Sequence, residues 1–217
     1  MFGKLFGKKP EKLAKPEFQT GDFDGFWNWW FENGQFIREG TSTPVVSEGL
    51  MDEISAALAL IHPDLVFEVG VDKQNRLDLV LSADGVRSGF PAVLGLAKAF
   101  PQRAGFTVTA FRQRQDVQIA IAGRRLSAAD AKFISVYDID EEHIDVRVFL
   151  PLPEDADDRS RAQFGFLLLD CALGEYDVAT SLGGIEFAPM SQAPEEALPL
   201  PELAALVDAM NAERARQ

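Results

Sequence analysis

Cysteine occurs once in this chain and histidine twice. Cys171 alone forms no intrachain disulfide, and one thiol with His62 and His143 falls short of a structural zinc site. No stretch approaches the ~20 apolar residues that span a bilayer. G-x-G-x-x-G is absent, so a dinucleotide fold lacks its fingerprint. G-x-S-x-G is absent too, so no hydrolase nucleophile elbow is signalled. The segment GKLFGKK at 3–9 has three residues between its glycines where a phosphate loop has four, and no Ser or Thr follows its lysines. Basic residues are the minority: Lys+Arg 21 against Asp+Glu 34, net charge −13. That balance repels nucleic acid and anionic lipid as a whole. Neither cofactor nor metal is expected.

The basic minority is unevenly placed. Residues 1–15 hold Lys4, Lys8, Lys9, Lys12 and Lys15 against Glu11 alone. Gly3, Gly7, Pro10 and Pro16 argue against a long helix there, so 1–17 reads as a flexible basic tail. Its lysines interrupt any apolar signal-peptide region, and with a single cysteine the chain is expected to be cytoplasmic. Phe2 excludes N-myristoylation. With Phe2, Leu5 and Phe6 as apolar grip, residues 1–15 offer a contact to anionic lipid at about 1 kcal/mol per basic residue.

Aromatic residues are what the chain has in concentration. All three tryptophans fall within FDGFWNWWFENGQF at 23–36. Phe23, Phe26, Trp27, Trp30 and Phe31 recur at helical spacing and share one face. Trp29 points off that stripe, toward Glu32. The helix is expected over 23–33, stopped by Asn33-Gly34. A second helix is expected over 44–61, with Thr43 as cap, Pro44 at its first position and Val46, Leu50, Ile54, Leu58 and Ile61 as its stripe. His62-Pro63 ends it.

Period two then takes over. Leu65, Phe67, Val69 and Val71 alternate, a turn follows at 72–75, and Leu77, Leu79 and Leu81 alternate. Asp84-Gly85 turns the chain into a helix at 90–100, and 106–113 returns as a strand. The order recurs: a strand at 133–139, a polar turn at 140–143, alternation through Ile144, Val146, Val148 and Leu150, a helix over 160–173 ended by Gly174, and a strand at 184–190. Residues 117–122 add a further strand. The expected fold is α+β, rich in antiparallel sheet, with flanking helices, and the order of elements suggests two strand–strand–helix–strand units. The expected organisation is one domain over 18–190, with possible halves 65–115 and 132–190. A proline-rich linker and an amphipathic helix fill 191–217, the helix carrying Leu203, Leu206, Val207 and Met210.

Few residues signal chemistry. Cys171 lies in FGFLLLDCAL and reads as a small buried hydrophobe. Asp138, Asp140, Glu141, Glu142 and Asp145 crowd a hairpin without the glycine and final glutamate of a calcium loop. Glu154, Asp155, Asp157 and Asp158 precede a helix, whose dipole welcomes them. Arg103, Arg112, Arg114, Arg124 and Arg125 gather against Asp116 alone. On one strand, Arg112 and Arg114 would share a face and could grip a carboxylate or phosphate. Alternatively they neutralise the acidic second half. Glu175, Tyr176 and Asp177 follow Gly174 as a turn, either binding a ligand or packing the tyrosine on the sheet. His62 and His143 are the only imidazoles available as a general base.

The segments FWNWWFEN, SADG followed by FPAV, and LGEYD together resemble a family of uncharacterised bacterial proteins, over roughly 23–190. The resemblance implies no activity and assigns no catalytic residue. The leading expectation is therefore a cytoplasmic binding or interaction protein, with Trp29 as an exposed aromatic anchor and Arg112, Arg114 and Tyr176 as ligand contacts. Its partner would be a protein or a small acidic ligand, not nucleic acid; the oligomeric state is not legible. One alternative is a small hydrolase or transferase using His143, Glu175 and Asp177. The other is a peripheral membrane adaptor acting through residues 1–15.

Overall fold

The computed structural model describes residues 13–41, 48–116, 118–121, 124–138 and 143–216. The fold is α+β. The chain divides into two compact units, Met1–Ala110 and Phe111–Gln217. The first unit holds one three-stranded sheet, and the second a two-stranded and a four-stranded sheet.

The first unit opens with α1 (Phe23–Thr41), whose first turn is capped by Asp22: Oδ1 accepts from the Gly25 N–H at 2.9 Å. Phe26, Trp27 and Trp30 are fully buried, and the Trp27 indole donates to the Leu96 carbonyl at 3.0 Å. The helix does not stop at Asn33-Gly34 as expected. Asn33 turns its amide inward to bond backbone, and Gly34 lies so tightly under Phe106 that a Cβ there would meet the ring at 2.6 Å. Burying Ile37 then carries the helix on. α2 (Glu48–Ile61) follows; its expected start, with Thr43, Pro44 and Val46, lies outside the described residues.

β1 (Val66–Val71) and β2 (Leu77–Ser82) form the expected hairpin. In its turn, Asp72 Oδ1 accepts from the N–H groups of Gln74 and Arg76. Leu77, Leu79 and Leu81 are fully buried, as their alternation predicted. α3 (Phe90–Lys98) then crosses over, and β3 (Phe106–Ala110) pairs with β2 in parallel. The sheet order is β1-β2-β3. The strand expected to reach 113 ends at Ala110, because Phe111 sits at φ 62°.

The second unit begins with a small hairpin, β4 (Ile119–Ile121) and β5 (Arg124–Leu126). β6 (Lys132–Asp138) and β7 (His143–Leu150) form an antiparallel pair. His143 is thus the first residue of a strand rather than part of a turn; the acidic residues at 140–142 lie outside the described residues. α4 (Asp158–Leu173) is capped by Asp157, which accepts from the Ser160 N–H at 2.9 Å. α5 (Glu175–Ser181) leads into β8 (Leu182–Pro189), parallel to β7. β9 (Leu198–Pro199) completes the order β8-β7-β6-β9. Both units therefore contain an antiparallel hairpin followed by a helical crossover and a parallel strand. α6 (Leu203–Arg214) docks on its own unit, with Leu203 and Val207 fully buried beside Phe133, Val148 and Leu168. Cys171 is buried and free.

Candidate functional site

Two constellations that sequence treated separately meet in the second unit. After Phe111 the chain runs without regular structure along the α4–α5 junction. There the Glu175 N–H donates to the Arg112 carbonyl at 2.9 Å, and Glu175 Oε2 accepts from the Arg112 N–H at 3.2 Å. The Gln115 N–H donates to the Cys171 carbonyl at 2.9 Å. Gly174 makes the junction possible: its φ of 83° and ψ of 146° suit glycine, and a Cβ would lie 3.2 Å from the Arg112 carbonyl. Residues 174–177 are consequently not the expected turn but a helix junction and the start of α5.

Arg112 and Arg114, expected on one strand face, lie on this irregular segment. Arg114 is the hub. Its Nε donates to the Leu173 carbonyl at 2.7 Å, and its two terminal nitrogens donate to Asp208 at 3.0 and 2.7 Å. One of them also reaches Asp177 at 2.7 Å. These bonds hold the Asp208 carboxyl below the usual carboxylate range and raise the guanidinium further above its already high value. Arg112 pairs with Asp170 at 3.5 Å. The Asp177 carboxylate also accepts from Asn211 at 3.2 Å, and Asn211 in turn accepts from Ser181. The internal-neutralisation alternative describes this geometry; a fork offered to an external anion does not.

A cleft of about 360 Å³ opens here, lined by Arg112, Arg114, Gly174, Tyr176 and Asp177 among others. Tyr176 is exposed at its rim, with its ring 5.3 Å from Phe111. Of the acid–base set, only Asp177 lines the cleft. Glu175 is turned inward at 1% exposure, and His143 stands at the start of β7. His62 accepts from the Asp64 N–H through Nδ1 at 3.2 Å. Arg103 belongs to the first unit, stacked 4.5 Å over Phe31. Among the described residues no cluster of three or more His, Cys, Asp or Glu suits a metal, and no helix is long and apolar enough to cross a membrane. Asp170, Asp208 and Asn211 had no signal in sequence, since each reads as the polar face of a helix.

Trp29 is not the exposed anchor that its place off the stripe suggested. It is 5% exposed, and its Nε1 donates to the Ala14 carbonyl at 2.6 Å. The exposed aromatic surface lies elsewhere. Phe166 and Leu167, successive residues of α4, are 45% and 39% exposed. Phe166 meets Phe187 of β8 edge-on at 5.1 Å. At Leu167 a cavity of about 440 Å³ is lined by Leu152, Pro153 and Phe164 together with the polar Asp155, Asp157, Ser160 and Gln163. No protein-family model, characterised protein or solved structure matches this chain.

Proposed function

We propose that the protein is a cytoplasmic binding or interaction protein that engages a partner protein through α4 of its second unit. The observation that carries this reading is the exposure of Leu167 at a cavity bordered by Leu152 and Pro153, with Phe166 exposed one position earlier on α4. Exposed large apolar side chains near a concave surface are groups that can anchor an interface. The Arg114 cluster argues in the same direction by its saturation. A general acid or base needs a proton free to move to substrate, yet Asp177 is shared between Arg114 and Asn211.

The test is affinity capture of the tagged full chain from its native lysate, compared with a Phe166→Ser/Leu167→Ser variant. A stoichiometric protein captured by the parent and lost in the variant, with the thermal unfolding midpoint retained, supports the reading. Capture that is unchanged in a folded variant overturns it.

A further inference from the structure

Residues 13–18 cross one face of α1 and are held as a bound peptide is held. At Ala14 the helix reads the backbone. Asn33 Oδ1 accepts from the Ala14 N–H at 2.8 Å, and Trp29 Nε1 donates to the Ala14 carbonyl at 2.6 Å. The other half of the Asn33 amide donates to the Trp29 carbonyl at 2.7 Å, which fixes its orientation. The neighbouring Leu13 is buried to 3% exposure. A second point of attachment is Phe18, edge-on to Phe26 at 6.2 Å. Its Cβ approaches Gly25 so closely that a Cβ on the helix would come within 2.5 Å of it.

Between those two points the segment stands off. Lys15 and Glu17 are exposed, and a cavity of about 600 Å³ opens between the segment and α1, with Asp22, Asn28 and Glu32 on the helix side. Pro16 disfavours helical backbone at Lys15. The segment contributes no strand to the sheet. Paired backbone bonds around a small residue and one buried aliphatic anchor are elements of peptide recognition.

We propose that this face of α1 is a binding site for an extended peptide carrying leucine, a small residue and lysine in succession, and that residues 13–18 are its internal, exchangeable occupant. The backbone bonds are indifferent to sequence, so Leu13 supplies the anchor. The carboxylates of Asp22 and Glu32 favour a basic residue in third place. A segment held at two points with an exposed middle opens at lower free energy than the helix beneath it. Because the occupant is tethered, its effective concentration is high, on the order of millimolar. A partner's peptide therefore binds measurably only when it exceeds that competition or when the segment is weakened. This site lies in the first unit and is independent of Phe166 and Leu167, so failure here leaves the α4 reading standing.

The probe is a fluorescent peptide with the sequence of residues 9–19, KPEKLAKPEFQ, titrated into the full chain by anisotropy. In a Leu13→Ser/Ala14→Pro chain, which loses the anchor and the N–H read by Asn33, saturable binding is expected at least tenfold tighter than to the parent. Adding Asn33→Ala to that chain should remove the binding. Absence of binding to the folded double variant overturns the proposal, as does a double variant that no longer unfolds cooperatively, since residues 13–14 would then be integral core. In the parent chain, hydrogen exchange at 14–18 should run well ahead of α1; exchange at the rate of α1 would overturn it as well. Concentration-dependent dimers that vanish in the double variant would replace the partner peptide with a second copy of this chain, and so overturn the assignment to a partner.

Discussion

Arg114 grips Asp208 with both terminal nitrogens, at 3.0 and 2.7 Å, across 94 residues of sequence. This fork fastens α6 to the segment that follows the first unit's last strand. The same guanidinium closes on Leu173 and Asp177, so one side chain joins three parts of the second unit.

Arg114→Ala should therefore destabilise the protein by about 1–2 kcal/mol, an amount kept small because the group is partly solvated. Urea unfolding measures it. Arg114→Lys should recover less than half, since an ammonium cannot reproduce the fork. Full recovery by lysine would show that charge alone suffices.

Acid should weaken the same junction. Arg114 holds the Asp208 carboxyl below its ordinary range, and backbone N–H groups do likewise for Asp72 (chiefly Arg76) and Asp157 (chiefly Ser160). A carboxylate whose folded pKa lies below its unfolded one contributes stability above the unfolded value. That contribution disappears as pH falls through the folded value. Stability from these groups should thus be intact down to about pH 4 and decline below it. Asp208→Asn should make the acid limb shallower; an unchanged limb would mean that the fork is absent in solution.

Trp29→Ala should cost about 3–5 kcal/mol, as expected of a large buried aromatic. Trp29→Phe keeps most of the packing and removes the bond to Ala14, for about 1 kcal/mol. A Trp29→Ala protein with an unaltered chemical midpoint would restore the exposed-anchor expectation that the structure replaces.

Gly174→Ala tests the helix junction. At φ 83° and ψ 146° a side chain is strained, and its Cβ would press on the Arg112 carbonyl. The expected cost is about 1–3 kcal/mol, read as a lowered unfolding midpoint with far-UV circular dichroism preserved. A neutral substitution would place the junction in another conformation.

Periodic segments were legible from the chain alone. Leu77, Leu79 and Leu81 name their face directly, and the β–β–helix–β order of both halves follows from where the rhythm changes. Events set by single residues were not. Asn33-Gly34 reads as a helix stop because its local preference is to break, yet Ala14 and Phe106 supply the tertiary contacts that keep the helix going. Phe111 gives no warning of its positive φ, so Arg112 and Arg114 looked like strand neighbours. Each half of the charged cluster could be seen, but Arg114 and Asp177 lie 63 residues apart, and composition carries no information about their meeting.

The recurring strand order has a kinetic side. In each unit the hairpin strands are close in sequence, whereas β3 and β8 must wait for a whole helical crossover before they find β2 and β7. Closing the longer loop is entropically slower. β3 and β8 each lie at an edge of their sheet, opposite β1 and β9. Each unit thus carries its crossover strand at an edge, where backbone amides lose protection first and where an unfinished chain would offer its sheet to another.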